Sequence, residues 1–179
     1  MRVHPDDEAA RLATLDALGI VGTSPEPHFD AVCRTARRLF GVRSAFVGFI
    51  DDTQLWLKTP CIDVPTSSPR ELGLCDHTIR SDAMLVVPDT RLDARFRDLP
   101  GVAAPDGFRF YAGIPLSLTP GIRIGTFCLI DPEPRDGLSE SDAEAFRDLA
   151  EIVIAHLRLT EANAKRSHEI AQAAVREAL

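Results

Sequence analysis

No stretch of the chain stays apolar for anything close to the roughly 18 residues that a helix needs to cross a bilayer. The opening segment, MRVHPDDEAARLATL, is acidic and amphipathic and lacks the apolar centre of a signal peptide. Together these absences predict a protein that stays in the cytoplasm and away from membranes. A basic surplus is missing as well. There are 20 Lys and Arg against 27 Asp and Glu, a net charge of −7, which argues against a surface for nucleic-acid phosphates. Arg34, Arg37 and Arg38 form a local cluster that reads as the solvated face of a helix. Cysteine is sparse: Cys33, Cys61, Cys75 and Cys128 make no CxxC pair and no metal-ligand spacing. Nothing here requires a metal or any other cofactor, and in a reducing compartment the four are free thiols. Cys33 and Cys128 fall at apolar helix and strand positions, where cysteine behaves as a small hydrophobe.

What is present suits one domain with helical extensions: 179 residues, 45% hydrophobic and 26% charged. Leu12, Leu15 and Leu18 recur at helical spacing over residues 6–18, and Gly19 stops them. Ser24 followed by Pro25 reads as an N-cap and first helical residue. The helix after them places Phe29, Val32, Cys33, Ala36 and Leu39 on one face and ends at Gly41. Residues 44–50 and 54–59 read as a hairpin across Asp51-Asp52-Thr53. Three prolines and Thr66-Ser67-Ser68 make 60–73 a loop, 75–80 a short helix follows, and 85–87 is a short strand closed by Pro88. Residues 89–109 show no period beyond a helical turn near 92–96, and irregular segments of that length are commonly functional or mobile. Two strands, 110–118 and 122–130, flank the Thr119-Pro120-Gly121 turn. Ser139-Glu140-Ser141-Asp142 then starts a helix that runs to the end.

This order predicts an α+β fold. The terminal helices are the only long ones, so they must cover one face of a single sheet. The irregular segments 60–82 and 89–109 are left for the other face, which leaves a cavity under the loops.

Several segments resemble the GAF family, as found at the N-termini of bacterial sensor histidine kinases and diguanylate cyclases. They are residues 11–20 (RLATLDALGI), 55–58 (LWLK), 69–79 (PRELGLCDHTI), 86–96 (VVPDTRLDARF), 109–116 (RFYAGIPL) and 124–131 (IGTFCLID), followed by Pro134-Arg135. The resemblance implies a five- or six-stranded antiparallel sheet. Terminal helices would pack on one face, and loops and short helices would close a pocket on the other. It divides the chain into an N-terminal helix (1–22), the GAF domain (23–160) and a C-terminal signalling helix (161–179). It further implies a homodimer through the terminal helices and a downstream output domain such as a histidine kinase or diguanylate cyclase. It names no ligand, since members bind cyclic nucleotides, tetrapyrroles or amino acids.

Candidate pocket residues follow from chemistry and alternation. Cys75 and His77 flank Asp76; they either pack a short helix or line the pocket. In bilin-binding relatives a Cys-His dipeptide stands where Asp76 here intervenes. Strand alternation puts Tyr111, Gly113 and Pro115 opposite Ala112, Ile114 and Leu116. Thr126 and Cys128 likewise oppose Gly125, Phe127 and Leu129. Tyr111, Gly113, Thr126 and Cys128 are therefore expected to face the cavity, Gly113 leaving room for a close approach, or Tyr111 serves only to hydrogen-bond a loop from the sheet. Trp56 is a core residue or a ligand platform, and Phe96 and Phe108 pin the irregular segment. Arg91, Arg95 and Arg97 either receive an anion or pair with Asp89, Asp93 and Asp98.

Leu149, Ile152, His156, Leu159, Asn163, Arg166 and Ile170 follow 3-4 spacing, which reads either as the seam of a parallel dimer helix or as a helix that covers the sheet to about Leu159 and then frays. The functional expectation is a non-catalytic sensory module that binds a small ligand and signals through its terminal helices. Because the chain ends in an open helix, it reads as a fragment of a longer signalling protein. The alternatives are a dimerisation domain with a vestigial pocket, and a cysteine-based methionine sulfoxide reductase in which Cys61 and Cys75 meet.

Overall fold

The computed structural model describes residues 5–59 and 65–177. In chain order the elements are α1 (Pro5–Leu18), α2 (Pro27–Phe40), β1 (Ser44–Ile50), β2 (Gln54–Leu57) and β3 (Ser67–Pro69). After a 3-10 turn (Arg70–Leu72) come α3 (Leu74–Thr78), β4 (Leu85–Val87), α4 (Pro100–Ala103), β5 (Phe110–Thr119), β6 (Ile122–Asp131) and α5 (Glu140–Glu177). The strands form one antiparallel sheet of six, ordered β3-β2-β1-β6-β5-β4. No helix among the described residues is long and apolar enough to cross a membrane.

Alternation along the central strands splits the interior in two. Ala45, Val47 and Phe49 of β1, Ala112, Ile114 and Leu116 of β5, and Phe127 and Leu129 of β6 face the long helices. There they meet Leu15 and Leu18 of α1, Phe29, Cys33 and Ala36 of α2, and Phe146, Ala150, Val153 and Leu157 of α5. The opposite faces carry Phe46, Ile50, Leu55, Leu57, Tyr111, Cys128 and Ile130, which meet Leu74, Cys75 and Ile79 with Phe96 and Val102. A fully buried side chain of this size contributes about 1.5–3 kcal/mol, so both layers are substantial. The loop-side layer is a second core, and the cavity sits within it.

Helix ends show where tertiary contacts override local signals. Helix α2 starts at Pro27, two residues beyond the Pro25 start expected from Ser24, with Glu26 in extended conformation at its N-cap. The Glu26 carboxylate caps no backbone N–H. It lies 3.0 Å from Lys58 Nζ and 3.2 Å from His156 Nε2. Lys58 is itself only 2% exposed and donates to the Ser24 carbonyl at 2.8 Å and to the Thr23 hydroxyl. The Glu26 carboxylate at the N-cap position is thus committed to this buried ammonium and to His156. The expected buried face holds at Phe29, Cys33 and Ala36, with Val32 half-buried beside them, and differs only in its last turn, where Phe40 is buried and Leu39 is 55% exposed.

At the start of α5, Ser139 Oγ accepts the Asp142 N–H at 3.0 Å, which matches the expected cap. The loop expected at 60–73 contains a strand, since Ser67–Pro69 pairs with β2 at the sheet edge, a position where proline is tolerated. In the 89–109 segment, expected to be irregular apart from one turn, a helical turn from Asp93 is joined by α4.

Candidate functional site

On the loop side of the sheet lies a cavity of about 480 Å³, within the range of small-molecule sites. Phe46, Leu55, Tyr111 and Ile130 of the sheet form its floor. Leu72–Cys75 closes one side, and the turn from Pro100 to Phe108 closes another. Polar groups enter from Arg43, Ser44, Ser68, Asp106 and Asp131. A mostly apolar chamber with a few polar groups suits an organic molecule better than a hydrated ion.

The walls are built by specific side chains. Arg91 donates to three carbonyls of the α4 segment: Val102 at 3.2 Å, Ala104 at 2.7 Å and Pro105 at 3.3 Å. Gly107 is required there, because a Cβ would stand 2.5 Å from the Val102 carbonyl oxygen and 2.7 Å from that of Gly101. Thr90 Oγ1 donates to the Phe108 carbonyl at 2.7 Å. Asp131, at the end of β6, accepts from the Arg43 N–H at 3.3 Å and from Arg135 at 2.7 Å. Arg135 reaches on to the Phe40 carbonyl at 2.9 Å, so the end of α2 and the cavity edge share one guanidinium.

On the other wall, Arg70 donates to Asp76 at 2.6 Å, to Glu8 of α1 at 2.5 Å and to the Asp51 carbonyl at 3.1 Å. Burial pushes the Asp76 carboxyl up, but its bonds to Arg70 and Arg80 outweigh that and hold it below its ordinary value. Glu8 is held at about 2, chiefly by Arg11, against desolvation and with help from Arg70. Arg11, buried under α1, also donates to the carbonyls of Ile50 and Asp51. A continuous polar chain thus runs from the cavity wall to the N-terminal helix.

The expected pocket residues divide into three groups. Cys75, Phe108 and Tyr111 line the cavity. Gly113, Thr126 and Cys128 share the loop-side layer with Tyr111 but stand behind it, buried under the phenol and α3. Tyr111 Oη lies 2.7 Å from Thr78 Oγ1 and 3.2 Å from Cys128 Sγ, and Cys128 donates to Thr126 Oγ1 at 3.1 Å. Cys75 Sγ is 3.6 Å from Cys128 Sγ and accepts from the Tyr111 hydroxyl at 3.7 Å. The bond from Cys128 pulls the Cys75 thiol down against its burial, helped by Thr126 and Tyr111. Burial drives both Cys128 and Tyr111 well above their ordinary values.

Trp56, His77 and Phe96 do not line the cavity. Leu55 and Leu57 take the loop-side positions of β2, so Trp56 points to the opposite face, where its Nε1 donates to Asp51 at 2.5 Å. His77 turns away from the cavity onto Phe96, ring centroids 4.9 Å apart. Its buried Nδ1 has no hydrogen-bond partner among the described residues, and burial, with Arg80, lowers its pKa. Phe96, with no exposed surface, holds the 89–99 segment in the second core. Arg95 and Arg97 pair with Asp93 and Asp98, whereas Arg91 grips carbonyls. Cys61 lies outside the described residues. Among those residues, no group of three or more His, Cys, Asp or Glu is placed to hold a metal ion.

The residues that sequence reasoning missed are Phe46, Leu55 and Ile130 of the floor and the polar group Arg43, Ser44, Asp106 and Asp131. Alternation along β1, β2 and β6 would have found the first set, since Phe46, Leu55 and Ile130 share a face with Tyr111. Ser44 shares the parity of Phe46 in β1, whereas nothing local marks Arg43, Asp106 and Asp131.

The candidate seam of α5 is divided. Leu149 packs at the edge of the helix-side core. His156 stacks on His28 with centroids 4.7 Å apart and meets Phe29 edge-on at 5.1 Å. Ile152, Leu159 and Ile170 are 55%, 59% and 62% exposed, and Asn163 is exposed with them. The cause is rotation about the helix: the stripe that meets the core is Phe146, Ala150, Val153, Ile154 and Leu157, and the 3-4 seam lies beside it.

Comparison with known proteins agrees with this architecture. The chain is 32% identical over 155 residues to a cyclic di-GMP phosphodiesterase of Pseudomonas aeruginosa, a match that covers 86% of this chain and 26% of that protein. The chain therefore spans about a quarter of that relative's length. Among solved structures, the GAF domain of an Acinetobacter phosphoenolpyruvate-protein phosphotransferase superposes with a TM-score of 0.60 at 17% identity, covering 88% of this chain and 95% of that one. The free methionine-R-sulfoxide reductase of Neisseria meningitidis, solved with its substrate, gives 0.57 at 17% identity, with coverage of 91% and 88%. At such identities these two likenesses establish the fold alone. The family model for the GAF domain matches residues 24–157, three quarters of the chain, and the chain belongs to the GAF domain family.

Proposed function

We infer that this chain is a non-catalytic sensory module whose cavity takes a small, mostly apolar molecule carrying a few polar groups, such as an aromatic heterocycle. The observation that carries the reading is the shared role of Arg70. It ties the Leu72–Cys75 wall of the cavity to Glu8 of α1. A ligand that repositions this wall acts on the N-terminal helix without touching it, because Arg70 cannot keep both carboxylates in range if one of them moves. At the other end α5 continues unbroken to Glu177, well past Leu157 in the core. It would carry the change into an output domain such as a histidine kinase or diguanylate cyclase, with Ile152, Leu159 and Asn163 facing a second copy of the chain.

A cavity of about 480 Å³ favours this reading over a vestigial pocket filled by side chains. Native mass spectrometry of the purified protein, beside its denatured mass, tests it. A non-covalent adduct of one molecule per chain, lost on denaturation, supports the sensor. Ligand-free dimers from several expression hosts would favour a purely structural dimerisation domain.

A further inference from the structure

We propose that Cys75 and Cys128 are a peroxide-responsive thiol pair, in which Cys75 is oxidised from the cavity and Cys128 closes the disulfide behind it. The two sulfurs lie 3.6 Å apart on different elements, Cys75 in α3 and Cys128 in the central strand β6. Forming the bond, of about 2.05 Å, needs the sulfurs to approach by only about 1.5 Å. Their surroundings set the order of reaction. Cys75 lines the cavity, which a molecule as small as a peroxide can enter, whereas Cys128 has no exposed surface and does not line it.

The pair also sits among hydroxyls rather than in a purely hydrocarbon core. Tyr111 Oη is 3.2 Å from one sulfur and 3.7 Å from the other, and Thr126 Oγ1 is 3.1 Å from Cys128. Those hydroxyls can solvate a thiolate on Cys75 and donate to a departing oxygen. The lowered pKa of Cys75 beside the raised pKa of Cys128 assigns the roles in the same sense.

The chemistry balances with hydrogen peroxide as the oxidant. The Cys75 sulfur attacks one peroxide oxygen, the O–O bond breaks, and the departing hydroxide leaves as water with the thiol proton. Cys75 is then a sulfenic acid. The Cys128 sulfur attacks the Cys75 sulfur, the S–O bond breaks, and the second oxygen leaves as water with the Cys128 proton. Two thiols and one peroxide yield one disulfide and two waters, and a reducing dithiol reverses the change by becoming oxidised itself. The bridge would tie α3, next to Asp76 and its partner Arg70, to the sheet. The cavity wall would then respond to oxidation whether or not a ligand is bound, so this proposal stands independently of the ligand reading.

The test treats the reduced, purified protein with a small excess of hydrogen peroxide, alkylates the remaining thiols under denaturing conditions and maps the peptides. The expected result is a cross-linked pair of peptides holding Cys75 and Cys128, with Cys33 still alkylated, and recovery of all thiols by dithiothreitol. In Cys128→Ser and, as a second variant, Cys128→Ala, Cys75 should accumulate as a sulfenic acid that dimedone captures. Wild-type mapping needs neither variant, so a folding failure in one does not remove the test. A Cys61–Cys75 bridge would overturn the proposal. So would over-oxidation of Cys75 while Cys128 stays a thiol, or oxidation of Cys33 ahead of Cys75.

Discussion

The Tyr111 ring lies directly over Gly113, two residues along its own strand. A Cβ at Gly113 would stand 2.8 Å from Tyr111 Cζ and 2.9 Å from Thr78 Oγ1, with the phenolic oxygen closer still. The glycine is there so that the phenol can lie flat, cover Cys128 and form the cavity floor. Gly113→Ala should therefore destabilise the protein by about 1–3 kcal/mol through overpacking. Tyr111→Phe should cost about 1 kcal/mol for the lost hydroxyl contacts. Urea unfolding of both variants and their double mutant should give less than additive losses, with a coupling of about 0.5–3 kcal/mol. Strict additivity would mean that ring and glycine do not constrain each other.

Arg91 braces the cavity wall by donating to three carbonyls of the α4 segment. Arg91→Ala leaves three carbonyls of the α4 segment without their shared donor, a loss of about 1–3 kcal/mol. Amide hydrogen exchange should accelerate over residues 100–108 while β5 and β6 keep their protection. Uniform acceleration across the sheet would show that the grip on α4 is not local.

Glu8 makes the stability of the fold depend on pH. Its carboxyl is held at about 2 against an ordinary value of 4.5. A depressed folded value means that the contribution is present above about 4.5 and lost as the pH falls toward 2, because the unfolded chain binds the proton first. Glu8→Gln should lower the urea midpoint at neutral pH, and the difference from wild type should shrink steadily below pH 4.5. A difference that persists unchanged at low pH would remove the Arg11 and Arg70 ion pairs as its source.

Lys58 holds the joint between β2, α2 and α5. Lys58→Met removes a buried ammonium from Glu26, Thr23 and Ser24, and charged hydrogen bonds of this kind contribute about 1.5–3 kcal/mol each. Burial pushes the Glu26 carboxyl up, and its bonds to Lys58 and His156 more than offset this. The variant should unfold at lower urea, and nuclear magnetic resonance should show the Glu26 carboxyl titrating at higher pH than in wild type. An unchanged titration would leave His156 alone as its partner.

Long strands with clean alternation make the sheet and its two faces legible in the sequence itself. In β5 and β6 the alternation separates Tyr111 and Cys128 from Ala112, Ile114, Phe127 and Leu129, and the fold keeps that separation. Strand β3 is not legible, because three residues reading Ser-Ser-Pro carry no period and pair only through β2. The start of α2 differs from the expected one because Glu26 answers to Lys58 and His156, more than 30 and 100 residues away. The cavity depends most on such distant partners. Trp56 is an attractive aromatic by residue type, yet the parity of Leu55 and Leu57 turns it away. Arg43 and Asp131 meet the cavity only because β1 and β6 are neighbours.

The central claim is that the cavity is a ligand site coupled to α1. It is tested most directly by recording backbone amide spectra while a panel of aromatic heterocycles is titrated into wild type and into Ala104→Trp, a substitution that fills the chamber. The expected result is at least one compound that saturably shifts the amides of Leu74, Gly107 and Ile130, and through Arg70 those of Glu8 and Arg11, with no shift in the filled variant. Shifts that never saturate, that persist in Ala104→Trp, or that stop at the cavity and leave α1 unmoved would contradict it.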